Sequence, residues 1–260
     1  MRTKTLLIAA AALAAGVMTS QAQVYSQNVV GYVNQTVSLG NNFLVNPLVG
    51  VTNDLEQTLN LQGGETILVY VPGGYQVYVY QQGAAAGGYP SDWTDGGGVA
   101  IPGTVENSGF PFVPDPKVAP GQGFIIQEES SAFTNTWVGS VVLSSTNALT
   151  SGNNLIGSIL PVAGDLETNT TINLPFFGGE TILVWGPGGY YVYVYQQGAA
   201  AGGYPSDWTD GGGLPIPGEI VNYQGSGFTF APNPQISVGQ AVFYQTENPA
   251  TNWVQNLILQ

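Results

Sequence analysis

Of 260 residues, 37 are Gly and 17 Pro, a share of helix-interrupting residues that argues against a helical bundle. Charged residues make up 7% and hydrophobic ones 43%, enough apolar material to fill one or two cores and too much for a disordered chain. With neither Cys nor His, the sequence has no thiol nucleophile, disulfide, Cys/His zinc site, imidazole base or Ser-His-Asp triad.

At the start, Arg2 and Lys4 precede an apolar run over residues 6–17 and then Thr19-Ser20-Gln21-Ala22, with Ser20 and Ala22 at the small positions before a cut. That order predicts a cleaved secretory signal peptide over residues 1–22, a mature chain from Gln23, and export to the extracellular space, the cell surface or the periplasm. A retained anchor needs ~18–20 apolar residues, more than this run supplies, and no later segment is long enough to span a bilayer. Cleavage removes two of the three basic residues, leaving 16 acids against Lys117 alone, a net charge of −15. Such a chain repels nucleic acid and anionic lipid, so cations and neutral molecules are the better partners, although the acids also serve plain solubility.

Residues 63–98 and 178–213 align without a gap at an offset of 115, with 33 of 36 positions identical; the differences are Tyr70/Trp185, Val71/Gly186 and Gln76/Tyr191. The chain therefore holds two copies of one unit. Weaker echoes flank the block: Gly40-Asn41-Asn42-Phe43-Leu44 answers Gly152-Asn153-Asn154-Leu155-Ile156, and Gly121-Gln122-Gly123 answers Gly239-Gln240-Ala241. Similar strands recur at Val29-Val30-Gly31-Tyr32-Val33, Trp137-Val138-Gly139 and Trp253-Val254-Gln255. The middle one is either shared or closes the first unit. This places a first β-domain at 23–143 and a second at 144–260, with about one strand of uncertainty at the join.

Within each unit apolar residues alternate with period two, as over residues 65–70 and 75–80, and Gly or Pro interrupts every several residues. Pro72-Gly73-Gly74 and Pro187-Gly188-Gly189 have the fixed φ and left-handed tolerance of tight hairpin turns. Asp54-Leu55-Glu56 and Asp165-Leu166-Glu167 suit a single helical turn. The fold class is all-β: two tandem duplicated β-sandwich or partly open β-barrel units.

The succession Gly40-Asn41-Asn42-Phe43-Leu44-Val45-Asn46-Pro47-Leu48, a Tyr-rich hairpin, Trp93, Pro120-Gly121-Gln122-Gly123-Phe124 and Trp137-Val138-Gly139 resembles a broad group of exported bacterial β-domain proteins. That resemblance implies tandem β-domains on secreted or cell-surface proteins, most of them uncharacterised. It covers nearly all of the mature chain. The second unit departs from the pattern, with Val238-Gly239-Gln240-Ala241-Val242 at the closing motif and Ile159-Leu160-Pro161 in place of Asn-Pro-Leu.

Three features are site-like. In Ser91-Asp92-Trp93-Thr94-Asp95-Gly96-Gly97-Gly98, repeated over residues 206–213, Asp92 and Asp95, like Asp207 and Asp210, offer hard oxygens for Ca²⁺, or else form an Asp-Gly turn beside a buried Trp. Strand alternation sends Gln76, Tyr78 and Tyr80 to one face, and Tyr191, Tyr193 and Tyr195 in the copy. With Trp93 and Trp208 these rings form an aromatic platform for neutral polysaccharide if exposed, a self-association surface, or core if two sheets enclose them. Glu65 with Asp92 or Asp95, and Glu180 with Asp207 or Asp210, could form the carboxylate pair of a glycosidase, one as acid and one as base or nucleophile. Residues 81–90 and 196–205, small and uncharged, read as flexible connections; no Lys follows their glycines, which excludes a phosphate loop.

The resulting expectation is a secreted, non-catalytic structural or adhesive β-protein of the cell surface or matrix, without a cofactor and with itself, other surface components or neutral polysaccharide as partner. A carbohydrate-binding module is the alternative, and a glycoside hydrolase the remoter one.

Overall fold

The computed structural model describes residues 29–257, so the expected signal peptide lies outside the described residues. The first unit runs β1 (Val29–Val37), β2 (Gly40–Leu44), one helical turn α1 (Leu55–Thr58), β3 (Thr66–Val71), β4 (Gly74–Tyr80), β5 (Trp93–Gly98), β6 (Val105–Asn107), β7 (Phe110–Phe112), β8 (Phe124–Glu128) and β9 (Phe133–Val141). The second runs β10 (Ser144–Leu149), β11 (Gly152–Gly157), β12 (Gly164–Asp165), β13 (Thr181–Gly186), β14 (Gly189–Tyr195), β15 (Trp208–Gly213), β16 (Phe230–Ala231), β17 (Gln235–Ile236), β18 (Ala241–Thr246) and β19 (Thr251–Asn256).

Each unit pairs an open antiparallel sheet with a two-stranded ribbon. The sheets have the orders β2-β8-β3-β4-β5-β7-β6 and β11-β18-β13-β14-β15-β16; the ribbons are β1-β9 and β10-β19. None of the described sheets closes on itself, so the sandwich, rather than the barrel, is the architecture. Because β9 turns back onto β1 and β19 onto β10, the chain passes from one unit to the next at Val142-Leu143.

The hairpins form where the Pro-Gly pairs stand. Val71 pairs with Gly74 and Gly186 with Gly189, leaving a two-residue turn in each. Asp54 caps α1 by accepting from the Glu56 N–H at 3.0 Å, and Asp165 accepts from the Glu167 N–H at 2.6 Å in the matching turn.

Period-two alternation gives the strands on the β2-β8-β3-β4 and β11-β18-β13-β14 side of each sheet two packed faces. In the first unit Ile67, Val69, Tyr78, Phe124 and Ile126 face the ribbon and close a core with Trp93 and Trp137. In the second, Ile182, Val184, Tyr193 and Val242 do the same with Trp208, Trp253 and Tyr244. The opposite faces of the two sheets meet each other: Phe43, Val45 and Ile125 pack on Leu155, Ala241 and Phe243, with Tyr70, Tyr75, Trp185 and Tyr190 around them. Phe43 stacks on Trp185 at 5.3 Å between ring centroids. The order is therefore ribbon, sheet, sheet, ribbon.

The contact between units has a pseudo-two-fold. Leu44 bridges Gln240 while its counterpart Ile156 bridges Gln122, and the Val45 N–H donates to the Gly239 carbonyl as the Gly157 N–H donates to that of Gly121. The same patch serves both sides, the arrangement of an isologous dimer, here within one polypeptide.

Candidate functional site

The rings proposed as a platform lie inside the cores. Tyr78 is 6% exposed, Tyr80 9%, Tyr193 8%, and Trp93 and Trp208 are wholly buried; Tyr195 is half-buried. Tyr78 and Tyr193 each meet their Trp edge-on, with ring centroids 6.3 Å apart. The Tyr78 hydroxyl donates to Gln76 Oε1 at 3.2 Å, so a phenol at the core margin keeps a polar partner. Burial raises the pKa of Tyr78, Tyr80, Tyr193 and Tyr195 above the ordinary phenol value, with nearby carboxylates or phenols adding to the shift. Exposure was the condition for a sugar platform on these rings, and burial removes it for all of them but Tyr195, which is half-buried.

The repeated Asp-Trp-Thr-Asp-Gly-Gly-Gly segment builds a β-bulge. Gln76 pairs with Gly98 but Tyr78 with Asp95, so β5 carries one residue more than β4 between these pairs; Tyr191, Gly213, Tyr193 and Asp210 repeat the arrangement. Asp95 Oδ1 accepts from the Gly97 N–H at 2.7 Å and Asp210 Oδ1 from that of Gly212 at 2.8 Å, holding the extra residue. Asp92 and Asp207 instead accept from the Ala85 and Ala200 N–H groups at 2.6 and 2.7 Å. The four carboxylates thus point to separate backbone amides, and no cluster of three or more acids that could hold a metal exists among the described residues. A Ca²⁺ loop asks for convergent oxygens, which this geometry does not supply.

Those bonds also shape residues 81–90 and 196–205. Each segment folds into a 3₁₀ turn, Ala85–Gly87 or Ala200–Gly202, closed by backbone bonds, and ends with Tyr89 or Tyr204 stacked on Phe112 or Phe230 at 5.0 Å. The expected loose connection is a hydrogen-bonded turn with an aromatic clasp.

Glu65 and Glu180, the carboxylates of the glycosidase reading, are buried and face their own backbones. Glu65 accepts from the Gln62 and Gly63 N–H groups, and Glu180 from those of Phe177 and Gly178 and from the Asn248 amide. Their hydrogen-bonding capacity is spent on loop closure. A different carboxylate group was missed by sequence reasoning. Glu56 accepts from Trp93 Nε1 at 2.7 Å and lines a recess of about 370 Å³ with Asp92, Asp115 and Lys117. Burial lifts the pKa of Glu56 and of Asp115, the latter also through Asp54. Glu167 repeats the Trp bond, but Asn233 and Gln235 replace Asp115 and Lys117 in the copy.

Comparison with protein-family models, curated proteins and solved structures finds no match. The surface that stands out is then the pair of outer ribbons. Alternation buries Trp137 and turns Val30, Tyr32 and Val138 to solvent, with Tyr32 directly opposite Val138 and 71% exposed. Asn34, Thr36, Thr134 and Thr136 continue the same face. None of β1, β9, β10 or β19 contains a charged residue, and among the described residues β1 and β10 pair with no strand other than β9 and β19. The signal for this surface was the Val30-Gly31-Tyr32-Val33 alternation, which sequence analysis used only to mark a repeat.

Proposed function

We propose that the chain is a non-catalytic structural or adhesive protein acting outside the cytoplasm, at the cell surface or in its matrix, and that it assembles with copies of itself through its outer ribbons. The uncharged ribbons carry this reading. Edge strands of monomeric proteins are normally guarded by Lys, Pro, bulges or covering loops, because open backbone groups template pairing with another chain. Here, among the described residues, β1 and β10 keep an open edge, beside the apolar row of Val30, Tyr32 and Val138 in the first ribbon, in an acidic protein whose charges lie elsewhere, while Val49 covers the far edge of β9 at Ser140. Export follows from the amino-terminal sequence, and the resemblance to exported tandem β-domain proteins agrees with it.

The test is light scattering of the mature chain from residue 23 over a thousand-fold concentration range, beside a Tyr32→Lys, Val138→Lys variant. Concentration-dependent oligomers that the double variant abolishes, at an unchanged melting temperature, are expected. A chain that remains monomeric throughout defeats the proposal. Fractionation of expressing cells checks the location: a processed product outside the cytoplasm is expected, and an uncleaved cytosolic one is the contrary result.

A further inference from the structure

The pseudo-two-fold creates two grooves where the units meet, and they differ in size and in several lining residues. The first is lined by Asn34, Gln35, Asn42, Trp185, Ser237 and Gln240, among others, and measures about 390 Å³. The second is formed by the corresponding elements, including Gln122, Thr146, Asn147, Ser151 and Asn153 beside Tyr70, and measures about 740 Å³. Gln35 and Asn147 occupy equivalent places, each five residues before its matching glycine, Gly40 or Gly152, and each against the corresponding turn glycine. A Cβ on Gly239 would fall 2.7 Å from Gln35, and one on Gly121 would fall 2.1 Å from Asn147.

Gln35 closes its groove. Its Nε2 donates to the Gly239 carbonyl at 2.7 Å, and its Oε1 accepts from Trp137 Nε1 at 2.8 Å. Asn147 is one methylene shorter. The corresponding Trp253 Nε1 turns instead to the Ile172 carbonyl at 3.2 Å, and Asn147 Nδ2 is left buried with no hydrogen-bond partner. A buried amide donor without a partner is costly, and turning the Asn147 side chain from Gly121 into the groove, where a ligand oxygen can accept from it, recovers that cost.

We propose that this second groove is a binding site for a neutral oligosaccharide, with Asn147 as its central polar contact. The volume lies in the range of ligand sites. None of the lining residues is charged, and amides and hydroxyls alternate with Tyr70, Pro72 and Pro120. That lining suits a ligand with many hydroxyls and apolar C–H faces. The acidic protein surface disfavours anionic sugars, and the groove holds no carboxylate to fix a cationic one. The duplicate then has one groove closed by Gln35 and one left open beside Asn147, with Tyr70 in place of Trp185 adding to the difference.

Titration calorimetry of the mature chain with neutral glucose, mannose, galactose and N-acetylglucosamine oligomers tests this. Binding to at least one series is expected. Asn147→Gln, which supplies the missing methylene and lets the amide reach Gly121, should weaken that binding at least ten-fold without lowering the melting temperature. Ser151→Trp should block it by bulk at the rim, as a second variant. The Tyr32→Lys, Val138→Lys variant should bind normally, which keeps the groove separate from assembly. Absence of binding at millimolar sugar overturns the proposal, as does binding that survives both groove variants or that is confined to charged glycans or peptides.

Discussion

Replacing Tyr78 by Ala separates a core ring from a surface platform by magnitude. Tyr78 is 6% exposed, its ring lies edge-on to the fully buried Trp93, and its hydroxyl bonds Gln76. Deleting a buried aromatic ring costs about 3–5 kcal/mol through lost transfer energy and the cavity left behind. The lost hydroxyl bond accounts for about 1 kcal/mol of this. At roughly 2–4 °C per kcal/mol for a chain of this length, the melting temperature should fall by about 10 °C. Tyr89 supplies the control: it is the same residue type, 42% exposed, and stacked on Phe112 over a surface turn, so Tyr89→Ala should cost about 1 kcal/mol. Urea unfolding followed by tryptophan fluorescence reads both variants, and an unchanged slope against denaturant confirms that only stability moved. A Tyr78→Ala variant within about 1 kcal/mol of the parent, or no worse than Tyr89→Ala, refutes the placement of the ladder in the core.

Two further outcomes follow from the same geometry. Gly98 has φ +91° and a Cβ there would meet the Tyr75 carbonyl at 2.3 Å, whereas Gly109 has φ +83° and open space around it. Chemical denaturation of Gly98→Ala should therefore show a loss about 1–3 kcal/mol beyond that of Gly109→Ala, and equal losses would remove the close approach at the bulge. Burial, with Tyr190 and Tyr70 contributing, lifts the Tyr75 phenol to about 12, and burial together with Glu180 lifts Tyr244 to about 12. A phenol with a raised folded pKa contributes stability that is intact below its unfolded value near 10 and lost as pH rises through the folded value. Melting temperature should accordingly decline between pH 10 and 12, and a flat profile there would contradict the burial of these two rings.

Strand spacing, hairpin positions and the two-fold duplication were legible in the sequence because each depends on neighbours a few residues apart. Pro72-Gly73 makes its turn, and Asp95 with the three following glycines makes its bulge, from local stereochemistry. The environment of the Tyr ladder was not legible. Val77 and Val79 alternate with Tyr78 and Tyr80, so both faces of β4 are apolar, and period-two patterning names two faces without saying what covers either. The rings' neighbours come from elsewhere in the chain: Tyr78 and Tyr80 meet Trp93, whose ring nitrogen is held by Glu56 of α1. The acids were ambiguous for a related reason: Asp92 and Asp95 read as calcium ligands or as turn residues beside a buried Trp, and Glu65 as half of a carboxylate pair, yet each is engaged by a backbone amide of its own turn. The grooves were further out of reach, since they exist only where one copy approaches the other.

The isologous join has a consequence for how the two halves can change. In a homodimer any substitution appears twice at the shared face, so the halves remain mirror-like in chemistry. Once joined covalently, each side mutates alone while its counterpart preserves the fit. Gln35 against Asn147 and Trp185 against Tyr70 are such one-sided differences at the join. Held in one polypeptide, the two halves are free to differ from each other while the peptide bond between them fixes their ratio at one to one.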